Sequence, residues 1–228
     1  MKKMRERPIL LNTDMVRAVL NGSKTQTRRI MKVQPSADFS PMNMELETDF
    51  TARWYTPGVV DTHGYLQPAK KQVFGVASED EGYTCPFGAV GDLLWVRETF
   101  RVHSRATDVA TLVYKASQRQ SWTQQTHRVP ASVCNKPAVI EKWTPSLHMP
   151  RWASRIKLEI TGVRVERLRD LSEEDAKSEG VTPPAGGVLP GWEHRINFRE
   201  LWMSIYGADN WEANPWVWVI EFRRVEGE

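Results

Sequence analysis

The sequence predicts an α+β fold around a small, curved or barrel-like sheet with short flanking helices, and three observations carry that expectation. The run RIKLEITGVRVERL (155–168) alternates Ile156, Leu158 and Ile160 with Lys157 and Glu159, slips phase at Thr161 and Gly162, and resumes with Val163 and Val165. A one-residue slip at a glycine is what a β-bulge produces, and bulges bend a sheet toward closure. The last run, PWVWVIEFRRV, is apolar on both faces in its first half, as a central strand requires. Between these two runs lie two short stretches of helical pattern.

In chain order, PILLNTDMVRAVLNGSK reads as a short strand and then a helix. Asn12 or Thr13 caps that helix, Met15, Val16, Val19 and Leu20 share one face, and Gly22 stops it. From about 33 to 90 the periodicity fades into Pro, Gly and polar residues, the mark of a loop-rich insertion with small hairpins. CPFGAVGDLLWVRETFRV then makes a turn at Gly88 to Asp92 and enters a mostly buried strand. Leu93, Trp95 and Arg97 take one face of it, and Leu94, Val96 and Glu98 the other. TLVYKA (111–116) is its expected partner strand. A second long polar connection, about 117–154, ends in KWTPSLHMPRWAS, whose prolines rule out a long regular element. LSEEDAKSEG is a short acidic helix with Ser172 as N-cap, Asp175 in the capping-box position and Gly180 as stop. NFRELWMSIYG is a further helix, with Asn197 as cap, Phe198, Leu201, Trp202 and Ile205 on one face and Gly207 as its end. Residues 1–228 read as one domain carrying the two insertions.

Composition narrows the function. The chain has 228 residues, enough to bury a core without cross-links, and 40% of them are apolar. It shows no apolar run of bilayer length, and its start lacks the features of a secretory signal, so a cytoplasmic location is expected. Cys85 and Cys134 give no disulfide framework. The five histidines and two cysteines fall in no CxxC, HxH or HExxH spacing, so a zinc site would need ligands from distant segments, and no cofactor is expected. PPAGGVLPGW (183–192) lacks the Lys-Ser or Lys-Thr ending of a P-loop and reads as a flexible rim. A net charge of +3 suits a nucleotide ligand but falls short of a dedicated DNA binder. Ten tryptophans can fill a core or stack on bases.

The cationic stretch NGSKTQTRR (21–29) follows the first helix directly. By local physics alone it is a helix exit, where the dipole favours an ammonium. A carboxylate at Glu179, in the last turn of the acidic helix, faces the negative end of its dipole, where an anion is mildly disfavoured. Together, GSKTQTRR, GDLLWV, LSEEDAKSEG and WVWVIEFRRV resemble the motifs of the ASCH family, whose domains have a PUA-like β-barrel, and WTPSLHMPRWASRI is typical of its longer prophage-encoded members. The insertion at 33–90 has no counterpart in minimal members.

The resemblance implies an amidohydrolase that removes the acyl group of an N4-acylcytidine, and carries the catalytic residues onto Lys24, Thr27 and Glu179. Other relatives are reported as ribonucleases, and PUA-like folds also bind RNA without chemistry, so an RNA-binding module or ribonuclease is the alternative. Amide hydrolysis needs a nucleophile, a proton relay and an oxyanion donor. Thr27 is then the nucleophile, Lys24 its activator and Glu179 the proton carrier; in a second division Lys24 assists a water and Thr27 orients the substrate. Arg28 and Arg29 tune Lys24 or hold substrate. Glu98 is a backup acid or base, Arg151 a phosphate or ribose contact and Trp152 a stacking platform. The expected partner is a modified nucleoside or nucleotide, or RNA, and not a membrane.

Overall fold

The computed structural model describes residues 4–183 and 193–225. In chain order the elements are β1 (Glu6–Leu10), α1 (Thr13–Leu20), β2 (Gln26–Ile30), β3 (Arg53–Tyr55), β4 (Gly58–Val60), β5 (Leu66–Pro68), β6 (Val73–Ala77), β7 (Gly82–Thr84), β8 (Leu93–Arg97), β9 (Phe100–Arg105), β10 (Val109–Tyr114), α2 (Trp122–Gln125), β11 (Thr126–Pro130), β12 (Lys157–Arg167), α3 (Glu173–Ser178), α4 (Glu193–Tyr206), α5 (Ala208–Glu212) and β13 (Trp216–Val225). The class is mixed α+β, as expected, and no sheet among the described residues is a closed barrel. The chain divides into two compact units: Met1–Lys24, Leu93–Glu159 and Arg223–Glu228 form the first, and Thr25–Asp92 with Ile160–Phe222 form the second.

In the first unit β1 lies parallel to β8, and the opening residues of β12 pair antiparallel with β8, Lys157 opposite Trp95 and Glu159 opposite Leu93. Helix α1 is capped by Asn12, whose Oδ1 accepts from the Met15 N–H at 2.8 Å. A second sheet runs β11-β10-β9, all antiparallel. One of its faces packs Phe100, Val102, Leu112, Tyr114 and Val129 with Met149. TLVYKA therefore partners β9 and β11, not β8. The reason lies at Glu98 and Thr99, where the run after Gly91 breaks into two strands as Glu98 turns inward to Arg155. Strand β11 sits in the polar 117–154 connection. Its sequence THRVP has no apolar alternation, and its pairing with β10 is what makes it a strand.

In the second unit the 33–90 segment holds the small sheet β3-β6-β7 and the hairpin β4-β5. Phe39, Phe50, Tyr83 and Trp216 form an aromatic cluster, with Phe39 edge-on to Tyr83 and Trp216 at 5.3 and 5.8 Å between ring centres. Strand β13 has β12 on one side and β2 on the other, and Trp216 through Ile220 are all buried. The burial phase of β12 slips where the sequence slips, from Leu158 and Ile160 to Val163 and Val165. Leu168, Leu171, Ala176, Phe198, Trp202, Val217 and Val219 form the core between this sheet and α3 and α4. Asn197 lies inside α4 and does not cap it, because the helix already runs from Glu193; its side chain donates to Thr182 O instead. Gly207, at φ +87°, ends that helix as expected.

Candidate active site

The geometry of the candidate site comes from the edge of β2 and the acidic helix. Strand β2 pairs on one side with β13, Thr27 opposite Ile220 and Arg28 opposite Val219. Beyond its start, Thr25 N–H donates to Ser178 O at 2.8 Å, so the C-terminal end of α3 stands against the β2 edge. Ser172 and Asp175 form the complete capping box that fixes the start of α3. Glu179 is its C-cap and Gly180 follows at φ +77°, which turns the chain away within one residue. Residues about 150 apart in sequence thereby share one corner of the second unit.

Strand alternation then decides which side chains meet. Gln26 and Arg28 project toward α3, with Thr27 and Arg29 on the opposite face. The Arg28 side chain is fully buried; its Nε donates to Glu166 Oε1 at 2.8 Å, and its Nη1 to Glu179 Oε1 at 3.3 Å. Asp175 Oδ2 lies 3.4 Å from Arg28 Nη2. Arg164 pairs with Glu166 at 3.2 Å, with Asp175 at 2.8 Å, and with Glu221. Gln26 Nε2 donates to Asp175 Oδ1 at 3.0 Å. Partial burial works against ionisation of Asp175, but hydrogen bonds from Gln26 and Ser172 and the charges of Arg28 and Arg164 outweigh it, holding its pKa at about 2. Burial likewise disfavours the Arg164 cation, and Glu166, Asp175 and Glu221 more than reverse this, raising its pKa. Beside the network opens a polar cleft of about 500 Å³ lined by Thr25, Gln26, Thr161, Asp175, Ser178 and Glu221 among others.

Lys24, Thr27 and Glu179 are all buried, at 2%, 2% and 5% exposure. Eight polar or charged residues are buried among the described ones, and five of them, Lys24, Gln26, Thr27, Arg28 and Glu179, come from the first motif and the end of the acidic helix. Burying polar groups costs free energy unless they are satisfied, and on the α3 side of β2 Gln26 is satisfied by Asp175 and Arg28 by Glu166 and Glu179, so this part of the motif is not a solvated helix exit. Lys24 is the last residue of the first unit, and its backbone N–H donates to Ala18 O. Arg29 lies opposite Trp218 on the Thr27 face.

The remaining predicted residues lie in the first unit. Glu98 is buried and held by Arg155 Nε and Nη2 at 2.9 and 3.0 Å; burial raises its pKa against the pull of that arginine. Arg151 donates to Glu6 at 2.8 Å and stacks over Trp95, and Trp152 packs edge-on against Phe100. Arg28 is committed to three carboxylates, so it holds the site together and is not presented to a phosphate. Sequence reasoning missed Gln26, Arg164, Glu166, Asp175 as a charge partner, and Glu221. Their signal was the strand spacing itself, with Gln26 and Arg28, and again Arg164 and Glu166, two residues apart on one face. The loop expected as a rim falls, over 184–192, outside the described residues.

No family model, no curated protein and no solved structure matches the chain. Among the described residues no helix is long and apolar enough to cross a membrane.

Proposed function

We propose that this chain is a hydrolase of a modified nucleoside or nucleobase, an N4-acylcytidine amidohydrolase of the ASCH type with a PUA-like barrel. The observation that supports it is the meeting of the first motif with the end of the acidic helix. Thr25 N–H bonds Ser178 O, and Arg28 bonds Glu179, so the two segments that the resemblance makes catalytic adjoin in the second unit. Thr27 and Glu179 are both buried, on opposite sides of β2, and buried groups suit acyl transfer better than phosphate binding, which wants exposed cations.

In this reading Thr27 Oγ1 attacks the acyl carbonyl as its proton passes to a base, the part that the resemblance gives to Lys24. The C–N bond then breaks as N4 of the base takes a proton through Glu179, and water hydrolyses the acyl ester. Arg28 and Thr27 lie on opposite faces of β2, so this reading requires the Glu179 carboxylate to serve Thr27 around the strand start, where Thr25 N–H meets Ser178 O. Arg28 is a positioning residue that fixes Glu179. In the second division of labour Lys24 assists the water directly and Thr27 orients the substrate.

The test is chromatography of N4-acetylcytidine incubated with wild type and with Lys24→Ala, Thr27→Ala and Glu179→Ala. Wild type is expected to release cytidine and each variant to lose at least about a hundredfold in rate. Absence of cytidine from wild type removes the substrate, and activity surviving all three substitutions removes the site.

A further inference from the structure

One element of the second unit stands apart from every other sheet. Strands β4 and β5 pair only with each other, and all six of their residues are exposed. A two-stranded hairpin is at best marginal in water on its own. This one is held by its turn, where Asp61 Oδ1 accepts from the His63 and Tyr65 N–H groups at 2.8 and 2.9 Å and Gly64 takes φ +84°. It presents Val59, Val60, Tyr65 and Leu66 to solvent, at 51, 64, 68 and 73% exposure. Their exposed portions amount to roughly 500 Å² of mainly apolar surface, as large as the biggest patch on an ordinary monomer, and such patches mark interaction sites.

The register fixes how a partner meets this hairpin. Gly58 lies opposite Pro68, Val59 opposite Gln67 and Val60 opposite Leu66. Asp61 N–H donates to Tyr65 O and Ala69 N–H to Pro57 O, both at 2.8 Å, so the hydrogen-bonded pairs are the odd-numbered ones. The N–H and C=O groups of Gly58 and Val60 therefore point away from β5, along the free edge of β4. On β5 the matching outward positions are Leu66 and Pro68, and the proline has no N–H to offer. Several other edge strands are blunted by charge or proline: β1 by Glu6 and Pro8, β3 by Arg53, β11 by Arg128 and Pro130. Strand β4, Gly-Val-Val, has neither.

Charge and symmetry select the occupant. The first unit carries 19 Lys and Arg against 8 Asp and Glu, a balance of +11, and the second 12 against 20, a balance of −8. Two acidic units repel wherever their charges face each other. From Trp54 to Ala69 the only Asp, Glu, Lys or Arg is Asp61, whose carboxylate is taken up by its own turn, so two copies meet at this hairpin without that repulsion. Strand β4 is also complementary to itself. About a twofold axis at Val59, Gly58 of each copy falls opposite Val60 of the other, and outward groups meet outward groups. Each Val60 then packs on the other copy's Leu66, which leans over Gly58 with its Cδ1 2.8 Å from where a Cβ at 58 would stand.

We propose that β4 is a dimerisation edge, pairing antiparallel with β4 of a second copy to make a four-stranded sheet β5-β4-β4-β5. The two patches total about 1,000 Å², the lower bound of a specific interface, so the dimer is reversible and forms at micromolar concentration.

The test is sedimentation of the whole chain from about 1 to 300 µM, with oxidative cross-linking to read the register. Wild type is expected to pass from monomer to dimer, and salt at about 500 mM should leave the dimer unchanged or tighten it, because only repulsion is screened. Val60→Pro removes an outward N–H that the hairpin itself does not use, and should weaken the dimer about tenfold or more at unchanged circular dichroism. Val59→Cys sets two thiols across the axis in a non-hydrogen-bonded pair, with Cα atoms about 4.5 Å apart and within disulfide range. Oxidised glutathione should make this variant a covalent dimer, and should not do so for Val60→Cys, whose two Cα atoms stand about 8 Å apart. Native Cys85 and Cys134 are buried, and wild type treated alike should stay uncrosslinked. A chain monomeric throughout the range overturns the proposal. So does a dimer that dissociates in salt, as basic unit on acidic unit would, one that Val60→Pro leaves intact, or equal cross-linking of the two cysteine variants.

Discussion

Replacing Arg28 with methionine removes the cation at the centre of the buried network and keeps a comparable unbranched volume. Glu166, Asp175 and Glu179 all lose a partner, and Glu179 is only 4% exposed at its side chain. Removing one member of a buried ion pair costs about 3–5 kcal/mol, because a charge is left without compensation. Arg164 still serves Glu166 and Asp175, so the lower end, about 3 kcal/mol, is expected. For a chain of this size that lowers Tm by roughly 6–12 °C. Calorimetry and urea unfolding read the loss, and hydrogen exchange over 25–30 and 173–179 locates it. The loss must also depend on pH. Asp175 titrates at about 2 when folded, against an ordinary 3.8, so its stabilisation is present above pH 4 and fades as pH falls toward 2. The gap between wild type and Arg28→Met should therefore narrow over that window. A loss below about 1 kcal/mol at pH 7, or a gap of constant size down to pH 2, would refute the view of Arg28 as the organiser of this corner.

Other expectations follow from single contacts. Ser172→Ala removes the N-cap of α3 and one of the hydrogen bonds that holds Asp175, and should cost about 1–2 kcal/mol by urea unfolding. Glu98 is the reverse of Asp175: burial raises its folded pKa above 4.5, so its contribution is fullest below that value and is lost as pH rises through the raised pKa. The stability of Glu98→Gln should accordingly fall less than that of wild type as pH climbs from 4 to 7. Gly75→Ala would place a Cβ 1.8 Å from Tyr83 O, backbone against backbone across β6 and β7. It should cost about 2 kcal/mol or more and raise exchange at 73–84.

Local pattern made a good part of the second unit legible. The capping box at Ser172, the phase slip near Gly162 and the apolar β13 are short-range signals, and each describes what the chain does. What stayed hidden was set by pairing across long separations. Strand β11 is polar and owes its strand character to β10, and the division of GDLLWVRETFRV into β8 and β9 depends on Arg155, far along the chain. Asn197 was misplaced because a good cap residue also occurs inside helices when its side chain finds another partner, here Thr182 O. The site was half legible. Thr27 and Glu179 stand out by resemblance, whereas Arg28, a tuner of Lys24 or a contact to substrate by sequence, is turned inward to carboxylates by its alternation with Thr27. The charge division was invisible to a whole-chain sum, since +11 and −8 nearly cancel until the chain is split into its units.

The central claim is that Glu179, held by Arg28 at the β2 edge, moves protons in an amide hydrolysis. It is tested most directly by the rate of cytidine release from N4-acetylcytidine for wild type and for Glu179→Gln, which keeps the shape of the side chain and its acceptor oxygen for Arg28. The account predicts release by wild type and a loss of at least about a hundredfold in the variant at unchanged circular dichroism. Equal rates for the two proteins, or no release by either, would contradict it.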